Sequence, residues 1–93
     1  MKVINATFFI KEEKREAFLE KAQTLIASSR AEEGCLAYDL YESTTEKNKF
    51  VMVEQWRDDE AVASHNQTEA LQDLFKVMPD YASKETQLIM TDA

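Results

Sequence analysis

Apolar residues along the chain fall in short β-type runs and in stripes near a period of 3.6, which predicts strands and helices in alternation. Lys2 to Ile10 is apolar or small at nearly every position and rich in Val, Ile, Thr and Phe, the composition of a strand. Alternation places Val3, Asn5, Thr7 and Phe9 on one face and Ile4, Ala6, Phe8 and Ile10 on the other. Both faces look covered. One would meet helices, and the other needs a surface that so short a chain does not supply, which points to a second subunit.

From Glu12 to about Glu32 the spacing of Phe18, Ala22, Leu25, Ile26 and Ser29 predicts a helix, with Lys14, Glu16, Glu20 and Lys21 off the stripe. Glu12 and Glu13 suit the positive end of its dipole. Gly34 is the only glycine and stands where a left-handed C-terminal cap is expected. Cys35 to Ser43 is a second strand, with Leu36, Tyr38, Leu40 and Glu42 on one face. The polar stretch Thr44 to Lys49 fits a hairpin loop. Lys49 to Arg57 is a third strand, with Phe50, Met52, Glu54 and Trp56 opposite Val51, Val53 and Gln55. Asp58 is placed as an N-cap for a helix carrying His65. Thr68 is placed as the cap of a second helical segment, Glu69 to Met78, striped by Leu71, Leu74, Phe75 and Met78 and ended by Pro79. Tyr81 to Thr91 is the last strand. The order β-α-β-β-α-β is the ferredoxin-like, α+β arrangement: a four-stranded antiparallel sheet with helices on one face.

Ninety-three residues make a single domain, residues 1–93. A core this small is often helped by a staple. One cysteine, Cys35, rules out an internal disulfide, and no Cys/His cluster suggests a structural metal. Oligomerisation remains, most simply as a homodimer. The formal charge of −7 argues against nucleic acid and anionic membrane as partners. No stretch approaches the roughly 18 apolar residues of a spanning helix. The apolar run near the N-terminus reads as a strand and not as a signal peptide, and one unpaired thiol fits the cytoplasm.

Two stretches carry a family resemblance. Glu33-Gly34-Cys35-Leu36-Ala37-Tyr38 resembles the E-G-C-x-x-Y that opens the second strand in the antibiotic biosynthesis monooxygenase family. Glu54 and Trp56, followed by Ala61, His65 and Thr68, are similar to that family's E-x-W and A-x-x-x-H-x-x-T. The resemblance covers nearly the whole chain. It implies a dimeric α+β barrel in which two subunits pack sheet against sheet, each with a pocket between its sheet and its helices. It also implies oxygenation of small aromatic substrates without metal or flavin. The family is broad: it holds anthrone oxygenases, quinol monooxygenases, haem-degrading enzymes and isomerases. In the haem-degrading branch a tryptophan stands at the position of His65 and the ligating histidine at the position of Phe75, so haem ligation of that type is not expected here.

Cofactor-free oxygenation needs a base, an orienting donor and a dry pocket. His65 is the only imidazole and the candidate base; the structural alternative is a surface or helix-end histidine. Glu54 interrupts an apolar strand and must be solvated, paired or held in a pocket. It would orient His65 or handle a proton, or else form an ion pair with Arg57 or a partner's lysine. Asn5 is the other polar residue in an apolar strand and resembles an active-site asparagine of the haem-degrading branch; a satisfied strand amide is the alternative. Tyr38, Trp56 and Phe75 are candidates for binding substrate, each with a packing role as the alternative. Cys35 has no activating base nearby in sequence and reads as inert. Three functions remain open: a cofactor-independent monooxygenase of a quinol or polyphenol, an oxygen-independent isomerase of a small carbonyl compound, and a non-catalytic ligand-binding dimer.

Overall fold

The computed structural model describes residues 1–93. Strand β1 spans Lys2–Ile10, helix α1 Arg15–Arg30, β2 Cys35–Glu42, β3 Lys49–Trp56, α2 Asp59–Asn66, α3 Glu69–Tyr81 and β4 Ala82–Asp92. The strands form one antiparallel sheet in the order β2-β3-β1-β4. This is the expected ferredoxin-like α+β fold.

Burial in β3 alternates along its whole length, with Phe50, Met52, Glu54 and Trp56 buried and their neighbours half-buried. Register carries that face across the sheet: Glu54 lies opposite Ile4 on one side and Tyr38 on the other, and Met52 opposite Ala6 and Leu40. The helices cover this face. Phe18 of α1 packs its ring between Phe8 and Phe50, with centroids 5.3 and 5.1 Å away, while Leu25, Leu74 and Met78 complete the core. On the opposite face Val3, Thr7, Val51 and Val53 are only half-buried. Phe9 is the exception there, buried beneath the ammonium groups of Lys49 and Lys84, which lie 5.7 and 5.1 Å from its ring centroid.

The structure corrects the expected helix ends. A 3₁₀ turn, Glu12–Lys14, precedes α1, which stops at Arg30. Pro79 does not end α3, which runs on to Tyr81 before Ala82 turns extended. Proline's fixed φ is already helical, and the hydrogen bond it forfeits falls at an exposed final turn. Asp58 caps α2 as expected, accepting from the Ala61 N–H at 2.9 Å. Thr68 occupies the N-cap position of α3, but its hydroxyl donates backwards to the His65 carbonyl at 2.8 Å and so closes α2.

Gly34 is not left-handed; no glycine has positive φ. A Cβ on Gly34 would lie 2.3 Å from the Ala61 Cβ, so the residue is needed for closeness between the β2 entry and α2. The left-handed residue is Asn48, with φ 65°, in the hairpin loop. Its Oδ1 accepts from Arg15 at 2.8 Å, its backbone N–H donates to Glu42 at 2.9 Å, and its amide nitrogen donates to Glu12. Arg15 also grips Glu42 with both terminal nitrogens, at 2.5 and 2.7 Å, which holds that carboxyl down at about 2. This clasp ties the hairpin to the start of α1.

Candidate active site

Between the sheet and the helices lies a cavity of about 300 Å³, with 11 of its 14 lining residues apolar. Ile4, Ala6 and Phe8 of β1 form its floor; Leu25, Val62, Leu71 and Phe75 come from the helices. Leu88 and Met90, the β4 residues opposite Ala6 and Ile4, stand at its open side and are 64% and 56% exposed. β4 is an edge strand. The other three lining residues are Glu54, His65 and Asn66, and Tyr38, counted with the apolar residues, adds a hydroxyl.

Glu54 reaches the cavity because strand alternation points it to the helix face, where it is 5% exposed. The Trp56 indole N–H donates to Glu54 Oε1 at 3.0 Å. Arg57 takes no part: it pairs with Asp58 and Glu33 at 3.2 and 3.5 Å. Burial pushes the Glu54 carboxyl from its ordinary 4.5 up to about 7; the indole hydrogen bond opposes this, and the charge of Glu32 adds to it. Near neutral pH this group therefore exists both as a carboxylic acid, able to donate, and as a carboxylate.

His65 is carried in by the Asp58 cap and one face of α2, on which Ala61 and His65 are four residues apart. It is 2% exposed. Its ring lies against Trp56, with centroids 4.4 Å apart, and meets Tyr38 edge-on at 5.5 Å. Nδ1 lies 2.8 Å from Glu32 Oε2, and Nε2 lies 3.9 Å from Glu54 Oε1. Tyr38 is 2% exposed; burial and the Glu54 charge push its hydroxyl above the ordinary tyrosine range, so it remains a phenol and a donor.

Of the residues singled out in the sequence, His65, Glu54, Tyr38 and Phe75 meet at the cavity. Trp56 stands behind it, wholly buried, bracing the imidazole and Glu54. Asn5 is exposed on the opposite face of β1, between Val53 and Ile89. Its alternation with Ile4 and Ala6, which line the cavity, carries it away from His65. Cys35 is half-buried and burial pushes its thiol up, in keeping with an inert cysteine. Glu32 escaped the sequence reading. Its signal is an acid just ahead of the lone glycine, but Glu33 stands there too, and its side chain is 92% exposed. No group of three or more His, Cys, Asp or Glu residues is placed to hold a metal ion.

A ferredoxin-like α+β domain with an apolar cavity that ends on an imidazole and a carboxyl has room for a small molecule beside groups able to exchange protons. Residues 1–77 match the antibiotic biosynthesis monooxygenase family. The chain is 52% identical over 68 residues to "Putative monooxygenase YcnE" of Bacillus subtilis, covering 73% of this chain and 72% of that protein. Among solved structures it is similar to a crystal structure of an antibiotic biosynthesis monooxygenase, with TM-score 0.93 and 30% identity over 100% of this chain and 98% of that one. It is likewise similar to PA3566 from Pseudomonas aeruginosa, with TM-score 0.90 and 30% identity over 99% and 92% of the two chains. The chain belongs to the antibiotic biosynthesis monooxygenase family.

Proposed function

We propose that this chain is a monooxygenase that works without metal or flavin on a small, neutral, electron-rich aromatic such as a quinol or an anthrone-like phenol. The observation that carries the reading is an apolar cavity, with no Lys or Arg in its lining, that ends on His65, Glu54 and Tyr38. An anionic substrate would be desolvated there without a counter-charge. Family membership and the name of the Bacillus relative support oxygenation.

In this reading His65 Nε2 takes the phenolic proton, and the Tyr38 hydroxyl and the acid form of Glu54 hydrogen-bond the substrate oxygens. The phenolate reduces O2 by one electron and the radical pair recombines at carbon. Loss of water then gives the oxygenated product: quinol plus O2 becomes hydroxyquinone plus water. The apolar walls keep bulk water from the radical pair. A second copy would pack on the open sheet face, where Val3, Val51 and Val53 are half-buried. The unpaired Cys35 is compatible with a reducing cytoplasm, where we place the protein.

A second reading has one observation in its favour. An imidazole beside a carboxyl that titrates near 7 is also an acid–base pair for isomerising a small carbonyl compound, with no need of oxygen. Oxygen uptake by chelator-treated protein, with reduced naphthoquinones and anthrone as probes and an autoxidation blank, separates the two. Uptake above the blank that collapses in His65→Ala is expected. Uptake equal to the blank across the panel would refute the monooxygenase, and turnover of a carbonyl panel under argon would then favour the isomerase. Inactivity in both screens would leave ligand binding.

A further inference from the structure

We propose that Glu32 is a positioning residue that fixes the tautomer of His65 and forms the outer end of a proton line from the cavity to solvent. This rests on His65 acting as the base. Glu32 follows α1, and its backbone is held on both sides: its N–H donates to the Ser29 carbonyl at 3.0 Å, and its own carbonyl accepts from the Cys35 N–H at 3.1 Å. Its carboxylate is thereby fixed 2.8 Å from Nδ1. The approach of α2 that permits this distance depends on Gly34, since a Cβ there would strike Ala61, one turn from His65 on the same helix.

A carboxylate can only accept from a neutral imidazole, so Nδ1 must carry the hydrogen and Nε2 must hold the lone pair. Nε2 is the nitrogen on the side of Glu54, and both residues line the cavity. The ring is 3% exposed at its side chain, whereas that of Glu32 is 18% exposed. Glu32 also lines a surface depression outside α2, together with Glu33, Arg57, Glu60 and Ser64. The imidazole thus stands between the apolar cavity and a charged surface, with one carboxyl on each side.

The chemistry gives this arrangement a use in both directions. When a substrate O–H bond breaks and an Nε2–H bond forms, the Nδ1 proton can pass to Glu32, leaving neutral imidazole and a carboxylic acid open to water. Oxygenation of a quinol releases no net proton, because the hydrogens end on product and water. The proton therefore returns by the same line when the leaving water forms, which restores the starting tautomer.

His65 is the only histidine, so ¹⁵N-histidine labelling reports on this ring alone. Long-range ¹H–¹⁵N spectra at pH 8 should show the Nδ1–H tautomer in the wild type and in Glu32→Gln, whose amide oxygen still accepts. Glu32→Ala should shift the ring toward Nε2–H. Exchange of the Nδ1 proton with water should be at least tenfold slower in Glu32→Gln than in the wild type. In oxygen uptake with a reduced naphthoquinone, Glu32→Gln should lower kcat at least tenfold with KM unchanged, and formate should restore part of the kcat lost in Glu32→Ala. An Nε2–H tautomer in the wild type, or an unchanged tautomer in Glu32→Ala, would overturn the positioning role. Equal exchange rates in wild type and Glu32→Gln would overturn the line. If the wild type consumes no oxygen, the monooxygenase reading fails while the two spectroscopic results still decide the role of Glu32.

Discussion

Replacing Glu54 with glutamine asks whether burial alone sets the behaviour of the cavity carboxyl. The introduced amide has nearly the shape of the protonated acid, and its oxygen can still accept from the Trp56 indole, so the two proteins should be within about 1 kcal/mol of each other at acid pH. They should then diverge. Below pH 4.5 the carboxyl is protonated in both the folded and the unfolded chain. Between 4.5 and about 7 the unfolded chain gives up its proton while the folded chain keeps it. The folded state then binds more protons, and wild-type stability falls by up to about 1.4 kcal/mol per pH unit. Above 7 both states are ionised and the loss is complete. The full displacement corresponds to about 3 kcal/mol. Glu54→Gln carries no such loss, so its advantage should grow from near zero at pH 4.5 to about 3 kcal/mol at pH 8.

The assay is urea denaturation at a fixed protein concentration, followed by the fluorescence of Trp56. It is the only tryptophan and is wholly buried against His65, so its emission reports on this site. Every other titrating group is common to the two proteins and largely cancels in their difference. Midpoints that run parallel from pH 4.5 to 8 would show that Glu54 is not held up by burial, and would remove its acid form from the proposed chemistry. A Glu54→Gln protein less stable than wild type at pH 8 would show that the carboxylate is stabilised by a partner, and would refute the reasoning outright.

Three further substitutions test how the site is held in place. Gly34→Ala should destabilise by about 1–3 kcal/mol through the clash with Ala61, and Ala61→Gly in the same chain should recover part of it; a double-mutant cycle by urea denaturation showing no coupling would contradict the contact. Asn48→Ala should cost more than Asn48→Gly, by about 1 kcal/mol, because both lose the hydrogen bonds to Arg15 and Glu12 but only alanine is strained at positive φ; the reverse order in thermal melts would contradict this. Ser29→Ala should be neutral or stabilising by up to about 1 kcal/mol, since the buried Ser29 hydroxyl makes no hydrogen bond of good geometry, although it lies near the Tyr38 hydroxyl; a marked fall in Tm would show that it pairs with Tyr38.

Much of the fold was legible because it is written in local periods. The alternation from Phe50 to Trp56 marks β3 and places Glu54 on its inner face. The Asp58 cap and the spacing of Ala61 and His65 mark α2 and the side it turns inward. What escaped depends on contacts between distant elements. Asn5 looked like a site residue because it is polar within an apolar strand, and parity correctly separated it from Ile4 and Ala6. Only the packing of helices on one side decides which of those faces holds the cavity.

Glu32 and Gly34 show the same limit more sharply, and they explain each other. Nothing local distinguishes Glu32 from Glu33; the turn after α1 sends one inward to His65 and leaves the other in solvent. The lone glycine invited a conformational explanation, since caps are where left-handed residues are usually needed. Its backbone is ordinary, and its function is absence of volume. With no Cβ at position 34, Ala61 can approach the β2 entry, and α2 settles close enough for His65 to meet Glu32. The glycine that ends one element thus sets a hydrogen-bond distance on another, so Gly34→Ala should disturb the His65 tautomer as well as stability. A Gly34→Ala protein that loses stability yet keeps the wild-type ¹⁵N spectrum of His65 would separate the two and break this link.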